Sequence, residues 1–181
     1  MTAERARLFV ALELPEEVRA ELVRWREDVV RDVEGLRPIR PRNLHVTLCF
    51  LGWCDVGEID AIVAACASVR PRLPGLALDQ VRWLPKRRPR ALAVAVSDPA
   101  GALAKTQAAL SRVLERGGWY TPEARPFLAH VTVARASSEA RLRATALTPP
   151  QPASLDRARI VLYRSRLAPG GAQYEPLSTF S

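Results

Sequence analysis

Only two histidines occur among the 181 residues, and they stand in matching settings: Leu44-His45-Val46-Thr47-Leu48 and Ala129-His130-Val131-Thr132-Val133. In a β-strand, successive side chains point to opposite faces. Each segment therefore sets one imidazole and one hydroxyl on one face and two aliphatic side chains on the other. Two such strands side by side would bury the aliphatic rows and aim both imidazoles and both hydroxyls into a common cleft. Paired imidazoles suit acid–base cleavage of a phosphodiester. One neutral ring takes a proton from the attacking group while a protonated ring gives one to the leaving oxygen, each transfer being worth about 10²–10⁴-fold in rate. Thr47 and Thr132 can hydrogen-bond the non-bridging oxygens, where charge grows in the transition state. No serine or cysteine sits in a nucleophile elbow, so water is the simpler attacking group.

A lone histidine on a strand is more often structural than catalytic, but both histidines of the chain share one polar–apolar alternation. A catalytic zinc usually takes three protein ligands, and no Asp, Glu or Cys cluster accompanies these two. The expectation is a site without metal or cofactor.

The elements that must position this site follow from periodicity and punctuation. Leu8–Leu14 reads as a strand. Pro15, Glu16 and Glu17 then open a helix whose apolar face is Val18, Leu22, Trp25, Val29 and Val33, ending near Gly35. A Pro-rich connection over Arg37–Pro41 leads to a strand at Leu44–Leu51, stopped by Gly52. Asp55 and Glu58 then cap a helix carrying Ile59, Ile62, Val63 and Cys66. Strands at Leu76–Leu84 and Ala91–Val96 flank a basic turn from Pro85 to Arg90. Asp98 and Pro99 open a helix with Leu103, Leu110, Val113 and Leu114, closed by Gly117-Gly118. A strand over Phe127–Ala134 precedes a shorter helix from Ser137. Strands at Arg157–Leu167 and Gln173–Phe180 flank the hairpin signal Pro169-Gly170-Gly171. The pattern is α+β: an α/β sandwich with mostly antiparallel sheets.

Composition sets the outer limits. Hydrophobic residues make up 48% and charged residues 25% of the chain, as in an ordinary globular domain. No apolar run reaches the roughly 18–20 residues of a membrane span, and the first residues do not read as a secretory signal. Three cysteines (Cys49, Cys54, Cys66) match no disulfide or zinc framework, so a reducing cytoplasm is the expected compartment. The net charge is +8, and Lys86 and Lys105 are the only lysines among 27 basic residues. That excess permits a polyanionic partner such as RNA, and an arginine-biased composition accounts for the ratio equally well.

Two H-x-T-x motifs, one in each half, resemble the mark of the 2H phosphoesterases. Within that superfamily the chain is similar to the bacterial and archaeal RNA 2′,3′-cyclic phosphodiesterases, also called 2′-5′ RNA ligases. The likeness spans nearly the whole chain. It runs through Arg7–Leu12, Pro41–Leu48 with Phe50-Leu51-Gly52, Arg87–Arg90, Arg125-Pro126-Phe127, His130–Arg135, Leu162–Ser165 and Gly171–Tyr174. The resemblance implies one domain over residues 1–181, bilobal and pseudo-twofold, with two antiparallel sheets lining a central cleft and helices outside. It implies metal-independent opening of an RNA 2′,3′-cyclic phosphate to a 2′-phosphate, with reversible ligation as the back reaction. By carry-over, His45 is the proton donor to the 3′-oxygen, His130 the proton acceptor from water, and Thr47 and Thr132 hold the phosphate. Arg135 matches an arginine that the family keeps after its second motif, as a phosphate contact.

Three features complicate this reading. Arg135 is five residues beyond His130, so a regular strand would turn it away from the cleft; a bulge or strand end must intervene. Leu128-Ala129 replace the Pro that commonly precedes the second motif. Trp53 stands where the family is often polar or acidic, free either to stack on a base or to pack at a rim. Phe9, Phe50 and Phe127 divide between core and base platform in the same way, and Arg87, Arg88 and Arg90 between an RNA-tracking patch and a solvated loop. The other candidate functions are a phosphodiesterase for small cyclic nucleotides and a non-catalytic nucleotide- or RNA-binding module. A monomer without membrane contact is the default.

Overall fold

The computed structural model describes residues 4–31, 33–169 and 171–180. Among the described residues, eight strands and three α-helices follow in the order β1 (Arg5–Glu13), α1 (Glu16–Arg31), β2 (Leu36–Pro38), β3 (His45–Asp55), α2 (Ile59–Ala67), β4 (Ala77–Leu84), β5 (Ala91–Ser97), α3 (Ala102–Arg116), β6 (His130–Ala136), β7 (Arg159–Ala168) and β8 (Gly171–Phe180). The strands lie in the order β4-β5-β6-β3-β1-β7-β8, with β2 also on β6, and every pairing is antiparallel. Two half-sheets are recognisable, β4-β5-β6-β2 and β3-β1-β7-β8. They meet at one residue pair, Val46 opposite Val131.

One face of this curled sheet carries the apolar core. Leu8, Val10 and Leu12 of β1, Val46 of β3 and Val131 and Val133 of β6 are buried there. They join a cluster that includes Val18 and Leu22 of α1, Ile62 of α2, and Leu103, Leu110 and Leu114 of α3. Burying such side chains at about 25 cal/mol per Å² is what holds helices to sheet. The opposite, concave face is polar and aromatic. The expected α+β architecture with helices outside a cleft is therefore the observed one.

Local departures have identifiable causes. The second strand does not stop at Gly52: β3 runs on to Asp55, with Gly52 at φ 75° inside a bulge that leaves Leu51 unopposed on β1. The Pro-rich connection contains β2, which pairs Leu36–Pro38 with Ala134–Ala136. No helix starts at Ser137. From there the chain runs irregularly to β7, held by side chains from elsewhere: Arg90 donates to Ser137 O and Ala140 O, Trp83 Nε1 to Thr145 O and Trp25 Nε1 to Thr148 O. Pro149, Pro150 and Pro152, lacking N–H donors, suit that extended path. Asp98 accepts from the N–H groups of Ala102 and Ala104, opening α3 as anticipated. Gly170 of the expected β7–β8 turn lies outside the described residues.

Candidate active site

The seam between the half-sheets is also where the two histidine motifs meet. Reading outward from the Val46–Val131 pair, the antiparallel register sets His45 across from Thr132 and Thr47 across from His130. All four side chains line one cavity of about 350 Å³ on the concave face, together with Arg7, Asn43, Phe50, Arg135, Ser165 and Tyr174. That volume is at the lower end for a small-molecule site.

The two imidazoles are oriented identically. His45 Nδ1 lies 2.7 Å from Asn43 O, and His130 Nδ1 lies 2.7 Å from Leu128 O. Each Nδ1–H donates to the carbonyl two residues upstream, which leaves Nε2 facing the cavity. Thr47 Oγ1 sits 3.0 Å from His45 Nε2 and donates to it when the ring is neutral. Asn43 ends a single 3-10 turn opened by Pro41, and its Nδ2 donates to Ala172 O of β8, tying the entry of β3 to the far hairpin. Its Oδ1 is buried, with no hydrogen-bond partner among the described residues.

Behind His45 stands a wall of aromatic rings. Phe9 is 5.1 Å from the imidazole between ring centres, and Tyr174 meets it edge-on at 5.4 Å. Tyr163 stacks on Phe9 and donates to Glu13 Oε1, with burial and that carboxylate pushing its phenol up. These neighbours desolvate His45. Burial lowers its pKa from 6.5 to about 4, against the Asn43 carbonyl, which favours the proton, and with Arg135 and His130 adding to the fall.

Arg135 reaches the cavity because β6 is bulged. Leu92 pairs with Ala134 and Ala93 with Thr132, so Val133 has no partner on β5 and the alternation shifts by one. Strand β3 does the same at the same offset. Val10 pairs with Cys49 and Ala11 with Thr47, leaving Leu48 unopposed. Each bulge lies three residues beyond its histidine, and the residue five beyond faces the cavity: Arg135 in one half, Phe50 in the other. A helix side chain meets each bulge carbonyl. Gln107 of α3 donates to Leu48 O at 3.3 Å. The buried Arg26 of α1 donates to Val133 O at 3.5 Å and also to Ile39 O. Arg7 places its guanidinium 4.8 Å from the centre of the Phe50 ring, a cation–π contact.

The five residues singled out in the sequence, His45, Thr47, His130, Thr132 and Arg135, thus share one cavity. Arg87 and Arg88 lie outside it on the β4–β5 hairpin, and Arg90 is engaged with backbone carbonyls. Arg26 and Gln107 carried no sequence signal, because their partners are set by tertiary contacts; Asn43 and Tyr174 fall within the family likeness but had no part assigned to them. Cys49 and Cys66 are unbridged and buried, with thiols pushed up to about 12 by burial, and Cys54 is likewise free. Among the described residues no group of three or more His, Cys, Asp or Glu could hold a metal ion, and no helix is long and apolar enough to cross a membrane.

Comparison with known proteins places this arrangement. Residues 12–93 match the LigT like Phosphoesterase family model. The RNA 2′,3′-cyclic phosphodiesterase of Escherichia coli K12 is 31% identical over 185 residues, covering 99% of this chain and 98% of its own. Crystal structures of E. coli LigT complexed with NADP+ and with 3′-AMP superpose with TM-scores of 0.80 and 0.78, at 30% and 29% identity. Each alignment covers 98% of both chains.

Proposed function

The chain belongs to the LigT-like phosphoesterase family, and on that premise we propose that it is an RNA 2′,3′-cyclic phosphodiesterase working by two-histidine acid–base catalysis. One observation carries the reading: both His-x-Thr strands meet at Val46–Val131 with all four polar side chains on one cavity. Residues 1–181 form one domain of two related lobes, each supplying one such strand. His130, its Nε2 lone pair facing the cavity, takes a proton from water as the water oxygen attacks phosphorus. The bond from phosphorus to the ribose 3′-oxygen breaks, and His45 gives that oxygen a proton. The product is a 2′-phosphate. Thr47, Thr132 and Arg135 hold the non-bridging oxygens as their charge grows. With a 5′-hydroxyl in place of water, the same forward steps open the cyclic phosphate onto that oxygen, forming a 2′-5′ bond as the bond to the 3′-oxygen breaks and His45 protonates it. One chain supplies every group, which supports a monomer, and three buried unbridged cysteines support a reducing, cytoplasmic setting.

The test is turnover of oligonucleotides ending in a 2′,3′-cyclic phosphate, followed by phosphorus NMR. Wild-type protein should give only the 2′-phosphate, unaffected by exhaustive EDTA treatment. His45→Ala and His130→Ala should each lose about 10²-fold or more in kcat/KM with little change in thermal midpoint. A 3′-phosphate product would reverse the assignment of the leaving group, and loss of activity on chelation with rescue by a divalent ion would replace the acid–base scheme.

A further inference from the structure

A second cavity, of about 580 Å³, opens beside the first and shares Phe50 with it. Its other ring-bearing walls are Trp53, Trp119 and Tyr120. Trp53 is 59% exposed, unusual for so large an apolar side chain with no packing role to explain it. The Trp119 ring lies against the backbone at Gly117, and its Nε1 donates to Glu58 Oε1 at 3.0 Å, which fixes that wall.

Register makes the two cavities one surface. Phe50 pairs with Phe9, Trp53 with Arg7 and Asp55 with Arg5, and alternate residues of β1 share a face. Arg7 and Phe9 already line the catalytic cavity, so Trp53 and Arg5 continue the same concave row. The bulge at Leu51 and Gly52 produces this alignment. Without it Trp53 and Phe50 would point to opposite sides.

We infer that the Trp53 cavity binds the nucleobase of the nucleotide just upstream of the cyclic-phosphate end, making this an enzyme for RNA chains over mononucleotides. The inference rests on the proposed function and extends it. The cavity's charges favour a base and disfavour a phosphate. Arg5 is already engaged, donating to Trp53 O at 2.5 Å, and Asp55 and Glu58 add negative charge to the wall. Any base has a π-face to lay on an exposed indole, and such stacking is sequence-tolerant. Arg135, proposed to hold the phosphate, and the guanidinium of Arg7 line the catalytic cavity and not the Trp53 cavity.

The experiment compares two substrates ending in a 2′,3′-cyclic phosphate, a mononucleotide and the dinucleotide with one more nucleotide upstream. For each protein the measured quantity is the ratio of their kcat/KM values, in which any misfolded fraction of a variant cancels. Wild type should favour the dinucleotide by about tenfold, the size of one base stack. Trp53→Ala should abolish most of that preference through the dinucleotide alone, and Trp53→Phe, which keeps an aromatic face, should retain most of it. An unchanged ratio in Trp53→Ala would overturn the inference. So would an equal fall for both substrates, which would seat the terminal nucleotide on Trp53. Wild type that hydrolyses neither substrate would overturn the proposed function itself.

Discussion

His45, the proton donor of the proposed mechanism, is held in surroundings that strip it of its proton. Burial takes its pKa to about 4, and Arg135 and His130 push the same way. A phosphodiester bound between them brings a negative charge, which favours the imidazolium and raises that pKa. Binding of a 2′-nucleotide product should therefore take up a proton near pH ~6, where unliganded His45 is neutral and an unperturbed histidine is mostly charged. Calorimetry in two buffers of different ionisation heat measures the uptake, and its loss in His45→Gln assigns it. Zero uptake in wild type would leave His45 neutral in the complex and pass the donor role to His130. The paired His-x-Thr motifs and Arg135 were legible because residue type and spacing alone carry them. Asn43 and Tyr174 fall within the family likeness, but what they do was not legible, since one acts through its backbone carbonyl and the other arrives from a distant hairpin.

The strands keep their alternation only as far as the threonines, and the helices behind them hold the irregularity that follows. Strict period-2 reading put Arg135 on the wrong face and so required a bulge, but could not locate it. Which residue goes unopposed is decided by the neighbouring strand and by whatever satisfies its freed carbonyl. Arg26 shows why this was hidden. On the helix it reads as a solvent-facing cation, yet it is 5% exposed and donates to Val133 O and Ile39 O, with desolvation lowering its pKa. Arg26→Met keeps the bulk and removes the donors, so Ile39 O loses its arginine partner while Val133 O keeps only Ile39 N. Charged hydrogen bonds of this kind are worth about 1.5–3 kcal/mol. Urea denaturation should show a loss of that order. KM for the cyclic phosphate should rise as well, because Arg135 owes its direction to the same bulge. The irregular run after Ser137 was misread for a related reason: its helix-like composition is overridden by arginine and indole donors from other elements.

Across the whole molecule, two half-sheets with separate hydrogen-bond ladders are joined in β-pairing at Val46 and Val131, both fully buried. The helices brace the joint from the convex side, and beside it Ile39 N, just after β2, donates to Val133 O at 2.9 Å. The fold class and the meeting of the motifs followed from the sequence. The narrowness of the joint did not, since it depends on where β3 and β6 part company. The joint behaves as a fuse. It sits between the two imidazoles, so any strain that spreads the halves separates acid from base while each ladder is still intact. Loss of catalysis should then precede loss of structure. In one urea titration, turnover should fall at lower denaturant than the far-ultraviolet circular dichroism, and a dilution out of that interval should restore it at once.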